Sequence, residues 1–205
     1  SLLEAYRENS NQFSDLAQAI EVIKSWDHRA DIESAGMTLF FFWWESARDK
    51  IPADLVREGK SLPKDAQIAM LTALKQAVLY MQNTYGSIQV PWGNVHRLRR
   101  GDKSWPLAGI ARHGLEVLRN VDGREPDEKG VIYADHGQFC TTVILLKHPV
   151  QSYSVVPYGQ SEDTRSTHYS DQAEMLFSKG LLKPTWYQKE ELMEHIESQK
   201  ILNVQ

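Results

Sequence analysis

The run Thr141-Thr142-Val143-Ile144-Leu145-Leu146 constrains the fold most. Threonine, valine and isoleucine suit a pleated chain, so the run predicts a strand. Both alternating faces are largely apolar, which predicts cover on both sides. His148-Pro149 ends the run, and Tyr153-Ser154-Val155-Val156 predicts the returning strand. Val131-Ile132-Tyr133 predicts another. Between these strands and the first half lie the turn-rich Pro91-Trp92-Gly93-Asn94 and a polar loop, Asp122 to Gly130.

The first half carries a helical period instead. Leu2 to Glu8 predicts an amphipathic helix, which argues against Ser1 as a nucleophile opening a buried strand. Leu16, Ala19, Ile20 and Ile23 share one helical face. Trp26-Asp27-His28-Arg29-Ala30-Asp31 interrupts that period. Leu39, Phe42, Trp43 and Ser46 mark the next helix, with Glu45 and Arg48 spaced for an i,i+3 pair. Met70, Leu74, Ala77, Val78 and Met81 mark a third, with Pro63 suited to its first turn and Gly86 to its end. Near the C-terminus, Asp171 with Glu174 and Thr185 with Gln188 predict two capping boxes.

Composition narrows the function. A hydrophobic fraction of 41% in 205 residues supports a real core. A net charge of -4 argues against a nucleic-acid partner. The most apolar stretch, Leu39 to Trp44, falls far short of the roughly 20 residues of a membrane span. Cys140 is the single cysteine and excludes an internal disulfide framework.

Local chemical signatures are incomplete. Gly59-Lys60-Ser61 has Asp54 where a phosphate-binding loop needs glycine. Gly159-Gln160-Ser161-Glu162-Asp163 has Asp163 where a nucleophile elbow needs glycine. Cys140 leads an apolar strand and is expected to be buried and inert, with His136 two pleats away. His136, His148 and His168 lack metal-ligand spacing, so no metal or cofactor is expected. His96-Arg97-Leu98-Arg99-Arg100 predicts ion pairing on a structured strand or loop. Trp26, Trp43 and Trp44 predict core, and Asp27, Arg29 and Asp31 predict a salt-bridged helix junction.

In order, several segments resemble one family. Trp26, Asp27, Arg29 and Asp31, then Ser34 and Gly36, resemble its Trp-Asp-x-Arg-x-Asp junction. Trp92 to Gly101 resembles a segment built on a His-Arg, here His96-Arg97, and a later Arg-Gly. Tyr158-Gly159-Gln160-Ser161, then His168-Tyr169 and Asp171-Gln172, resemble its closing motif, followed by Lys183-Pro184. The family is that of the penicillin acylases, which are N-terminal nucleophile (Ntn) amidohydrolases. The closer likeness is to its aculeacin and acyl-homoserine-lactone acylase branch. Lys147 is a departure, because some members have an acidic residue there.

The resemblance implies an α+β chain forming a portion of an αββα Ntn-hydrolase sandwich. It would comprise a helical part (1–86), an antiparallel strand-rich part (87–160) and closing helices (161–205), taken as a single unit 1–205. The catalytic serine, which opens the family's β chain, and the oxyanion-hole groups would lie upstream. No catalytic residue is then expected in this chain, and the motif residues would be structural or pocket wall. The implied partners are the α chain and the N-terminal part of the β chain, with a small-molecule amide as substrate. Exposed strand edges also allow a homo-oligomer. The parent is expected in the periplasm or secreted, with any calcium ligands outside this chain. The alternative is a non-catalytic interaction module complete in itself.

Overall fold

The computed structural model describes residues 1–52, 61–115 and 117–200; Asp54, Gly59 and Lys60 of the loop considered above lie outside them. Two compact units are present, Ser1–Gly137 and Gln138–Gln205.

The first unit begins with helices α1 (Leu2–Asn9), α2 (Ala17–Ser25), α3 (Ala35–Ala47) and α4 (Lys64–Tyr85). Ser1 caps α1: its hydroxyl accepts from Glu4 N, and its amino group lies 3.2 Å from the Glu4 carboxylate. That is the reciprocal box that stabilises a first turn. The apolar stripes are buried as their period requires: Leu16, Ala19, Ile20 and Ile23 on one side, Met70, Leu74, Ala77 and Met81 on the other. Val78 is only partly buried. Gly86 closes α4 at φ 72°, a conformation costly for residues with a Cβ. Asn9 fastens α1 to α4, donating to Gln67 Oε1 at 2.8 Å. Trp43 is core, while Trp26 and Trp44 border it. The expected Glu45–Arg48 pair is replaced: Glu45 lies 3.7 Å from His113, and Arg48 3.9 Å from Asp49.

A single turn, α5 (Trp92–Val95), leads into a four-stranded sheet. Its strands are β1 (His96–Arg100), β2 (Lys103–Pro106), β3 (Val121–Gly123) and β4 (Ile132–Gly137), in the order β2-β1-β4-β3. Pairing is antiparallel except between β1 and β4, which run parallel. The expected polar loop therefore starts later than Asp122. Val121, Asp122 and Gly123 form a buried strand, because Asp122 finds a buried partner in Arg112. Arg112 Nε and Nη2 donate to the two Asp122 oxygens at 3.0 and 3.3 Å.

The second unit contains β5 (Thr141–Leu145), β6 (Gln151–Val155), α6 (Asp171–Met175), β7 (Lys183–Pro184) and α7 (Lys189–Glu194). Its sheet is antiparallel in the order β5-β6-β7. The hairpin matches expectation, but its cover does not. Val143, Ile144 and Leu145 are 42%, 50% and 43% exposed, on both faces of an edge strand. Cys140 is likewise exposed rather than buried, since the strand it precedes is uncovered. Neither capping box forms. Asp171 lies inside α6 and holds His168, while Thr185 bonds Ser154 at 2.8 Å.

The Arg112–Asp122 pair sets a stability test. Arg112→Met strands a buried carboxylate and should cost about 3–5 kcal/mol in urea denaturation. Adding Asp122→Asn should recover part of that loss.

Candidate functional site

The family-motif residues gather at three places. The first is the bend between α2 and α3. Trp26 leaves the helix in an extended conformation, and its Nε1 donates to Arg29 O at 2.9 Å. Asp27 Oδ1 accepts from Arg29 N at 3.0 Å, while Arg29 pairs with Asp31 at 3.2 Å. This is the salt-bridged junction that the spacing predicts. Ser34 then caps α3 by accepting from Met37 N. At Gly36 any Cβ would overlap Trp26, so the ring seats directly on the α3 backbone. The bend borders a cavity of about 700 Å³ whose lining includes Glu21, Asp27, Asp31 and Glu33. Its character is acidic.

The second place is the His-Arg segment. His96 is fully buried, stacked on Trp92 at 5.0 Å, with Nδ1 3.0 Å from Leu107 O. That contact requires a proton on Nδ1, since a carbonyl only accepts. Burial pushes the His96 pKa down to about 4, so the ring is neutral near pH 7. A closed, neutral imidazole holds structure and does not exchange protons with a substrate. Arg97 secures the β1–β2 hairpin by donating to Gly93 O, Ser104 Oγ and Ser104 O. Arg99 lies 4.0 Å over the Tyr133 ring. Arg97 is thus engaged with carbonyls and a hydroxyl, and Arg99 with an aromatic face. The first two motifs meet: Gly93 N donates to Ile32 O at 2.7 Å, and Trp92 N to Ser34 O at 3.2 Å.

The third place, in the second unit, brings Tyr158–Ser161 against His168–Gln172. Ala173 N donates to Tyr158 O at 2.7 Å, and Ser161 N to His168 O at 3.1 Å. Gly159 lies so close to His168 O that no side chain fits. Gln172 is buried, and its Oε1 accepts from Val156 N at 3.2 Å. Tyr169 N donates to Ser166 O, while Gln160 stays exposed. The His168 ring lies between carboxylates, with Nδ1 2.8 Å from Asp171 and Nε2 2.8 Å from Glu197. The hydrogen bond to Asp171, then that to Glu197, raises its pKa. With both nitrogens given to carboxylates, His168 has no lone pair for a serine proton. Ser161 Oγ accepts from Asp163 N at 3.1 Å, an ordinary turn contact. The motif is a clasp that closes a loop.

The described residues include no group of three or more His, Cys, Asp or Glu placed to hold a metal ion. Spacing along the chain does not reveal the buried Arg112–Asp122 pair or a second cavity beside Glu45. Neither leaves a local signal, because their members come from separate elements.

The His96 pKa is depressed, so its neutral form stabilises the fold above about pH 6.5. That stability should fall as pH drops toward 4, by about 3 kcal/mol in full, and His96→Gln should flatten the dependence in urea titrations. The His168 pKa is raised, so its contribution is present below 6.5 and lost as pH climbs through the raised value. In an NMR titration His168 should change charge above 6.5, and Asp171→Asn should lower that midpoint more than Glu197→Gln.

A model of the penicillin amidase family matches residues 2–194. Among solved structures, the chain is similar to a thermostable penicillin G acylase from Alcaligenes faecalis, with 16% identity and a TM-score of 0.46. That comparison covers 98% of this chain and 46% of the other, so this chain spans less than half of its length. Because the family match runs nearly from end to end, the chain belongs to the penicillin amidase family.

Proposed function

We propose that this chain is part of an amidohydrolase that removes the acyl group from an N-acyl amide. A fatty N-acyl amide such as an acyl-homoserine lactone is the substrate class. The observation that carries the reading is the family match over residues 2–194. The order of the junction, His-Arg and closing motifs, which resembles the aculeacin and acyl-homoserine-lactone acylase branch, favours the fatty acyl group.

In this reading the nucleophile is a serine elsewhere in the parent. Its hydroxyl attacks the amide carbonyl, the amine leaves, and water releases the acyl group from the ester. Its own α-amino group, with an ordinary pKa of about 8, takes the proton near neutral pH. Donors outside this chain stabilise the oxyanion. The residues described above contribute framework. The α2–α3 bend and the β1–β2 hairpin hold one another, and the 158–172 clasp positions the end of β6.

The exposed apolar β5 supports a partner role for the rest of the parent. Among the described residues β5 is an edge strand, so it presents backbone groups open to pairing together with apolar side chains. A further strand of the parent satisfies both, and a second copy of the chain is the competing occupant. We place the parent in the periplasm or outside the cell, with any calcium held by other segments.

Amine release from N-acyl-homoserine lactones and from phenylacetyl amides tests this. The parent enzyme should release amine faster from the long-chain lactones, and the 205-residue chain alone should release none. Faster turnover of phenylacetyl amides would remove the fatty-acyl assignment. Turnover by the chain alone, lost on changing one of its own residues, would remove the external nucleophile.

A further inference from the structure

The first unit has a second cavity, of about 480 Å³, between α3, α4 and the turn after β3. That size suits a small organic ligand. Tyr80, 37% exposed, offers an open ring face there, and the Phe42 ring stands 4.7 Å from it. Pro126 adds apolar surface from the turn.

Arg112 shares this lining, and its side chain is only 9% exposed. Its Nε donates to Asp122, and its Nη2 to Asp122 and to the carbonyls of Gly123 and Arg124. Nη1 makes no hydrogen bond among the described residues. The side-chain atoms there that are both unbonded and sealed from water are Glu45 Oε1, Arg48 Nε, His96 Nε2 and Ser152 Oγ, so Nη1 is open. The guanidinium carbon lies 5.5 Å from the centre of the Phe41 ring, which backs it. A guanidinium fixed by three partners, with one nitrogen left open, is a pre-positioned N–H donor.

The rest of the lining sets the charge a ligand can carry. Glu45 and Glu125 border the cavity. Glu45 Oε1 is sealed, its other oxygen faces His113 Nε2 at 3.7 Å, and Glu125 is exposed to water. Neither is a shielded acceptor for a cation, and Arg112 repels one. Both carboxylates oppose an anion, since Asp122 already cancels the charge of Arg112.

We propose that this cavity binds a neutral aromatic molecule carrying one hydrogen-bond acceptor, such as a carbonyl oxygen. The oxygen accepts from Arg112 Nη1, and the ring lies against Tyr80, Phe42 and Pro126. The inference stands apart from the deacylation reading and shares no residue with its chemistry.

Isothermal titration of the parent protein with acetophenone, ethylbenzene, benzoate and benzylammonium tests the site; none of the four has an amide bond to cleave. Acetophenone should bind about tenfold more tightly than ethylbenzene, which lacks the acceptor, and more tightly than either ion. Tyr80→Ala should weaken acetophenone and ethylbenzene alike, by about fivefold. Arg112→Lys should weaken acetophenone by about tenfold and leave ethylbenzene unchanged. No binding, equal affinity for acetophenone and ethylbenzene, tighter binding of either ion, or unchanged affinity in Tyr80→Ala overturns the proposal. Where Arg112→Lys fails to fold, the comparison of acetophenone with ethylbenzene on the unaltered protein decides the role of the open N–H group.

Discussion

Trp92 joins the helices of the first unit to its sheet, because its backbone and its ring are bonded to different segments. The backbone N–H reaches Ser34 O, and the indole Nε1 reaches Gly109 O at 3.0 Å. The ring is fully buried, 5.2 Å from Phe41 and stacked on His96. Gly109 N in turn reaches Ala30 O at 2.8 Å. Segments remote in sequence thus share one knot. The start of β1 is fixed by it, and so is the parallel pairing of β1 with β4. His96 extends the knot reciprocally: Leu107 N donates to His96 O, and His96 Nδ1 to Leu107 O. Its neutrality is a consequence of position, since burial there would strip a charged ring of water.

The second unit is held differently. Its buried apolar residues are few, chiefly Val155, Ala173 and Phe177. Polar contacts of the 158–172 clasp hold the rest, and its His168 ion pairs are exposed, where such pairs contribute little. Meanwhile Val143, Ile144, Leu145 and Leu146 face solvent. Apolar surface concentrated on a free strand edge is unfavourable in isolation. The hairpin therefore has more to gain from a partner than the first unit does, and a belt of apolar side chains with open backbone groups suits another strand better than a small ligand.

The legible parts were those fixed by local pattern. Leu16, Ala19, Ile20 and Ile23 announce their helix, and Gly86 its neighbour's end, because a 3.6-residue period and a positive φ leave local marks. The β5–β6 hairpin was legible for the same reason. Its cover was not, because an apolar run records that a strand needs burial and says nothing of which chain supplies it. Asp122 was hidden in a polar run; only Arg112, arriving from another loop, turns it into a buried strand residue. The capping boxes failed through competition, since Asp171 meets an imidazolium and Thr185 a neighbouring strand. The junction motif was the best-read part of the site: Asp27, Arg29 and Asp31 are close in sequence and bond one another.

Carboxylates differ in how this fold compensates them. Asp122 is buried with its arginine, and Asp171 faces a histidine, so both charges are compensated within the fold. Glu45 differs: one oxygen is buried without a hydrogen-bond partner among the described residues, and the other lies 3.7 Å from His113 Nε2. Leaving a buried oxygen unmatched is costly, so this carboxylate holds the fold less firmly than Asp122 does.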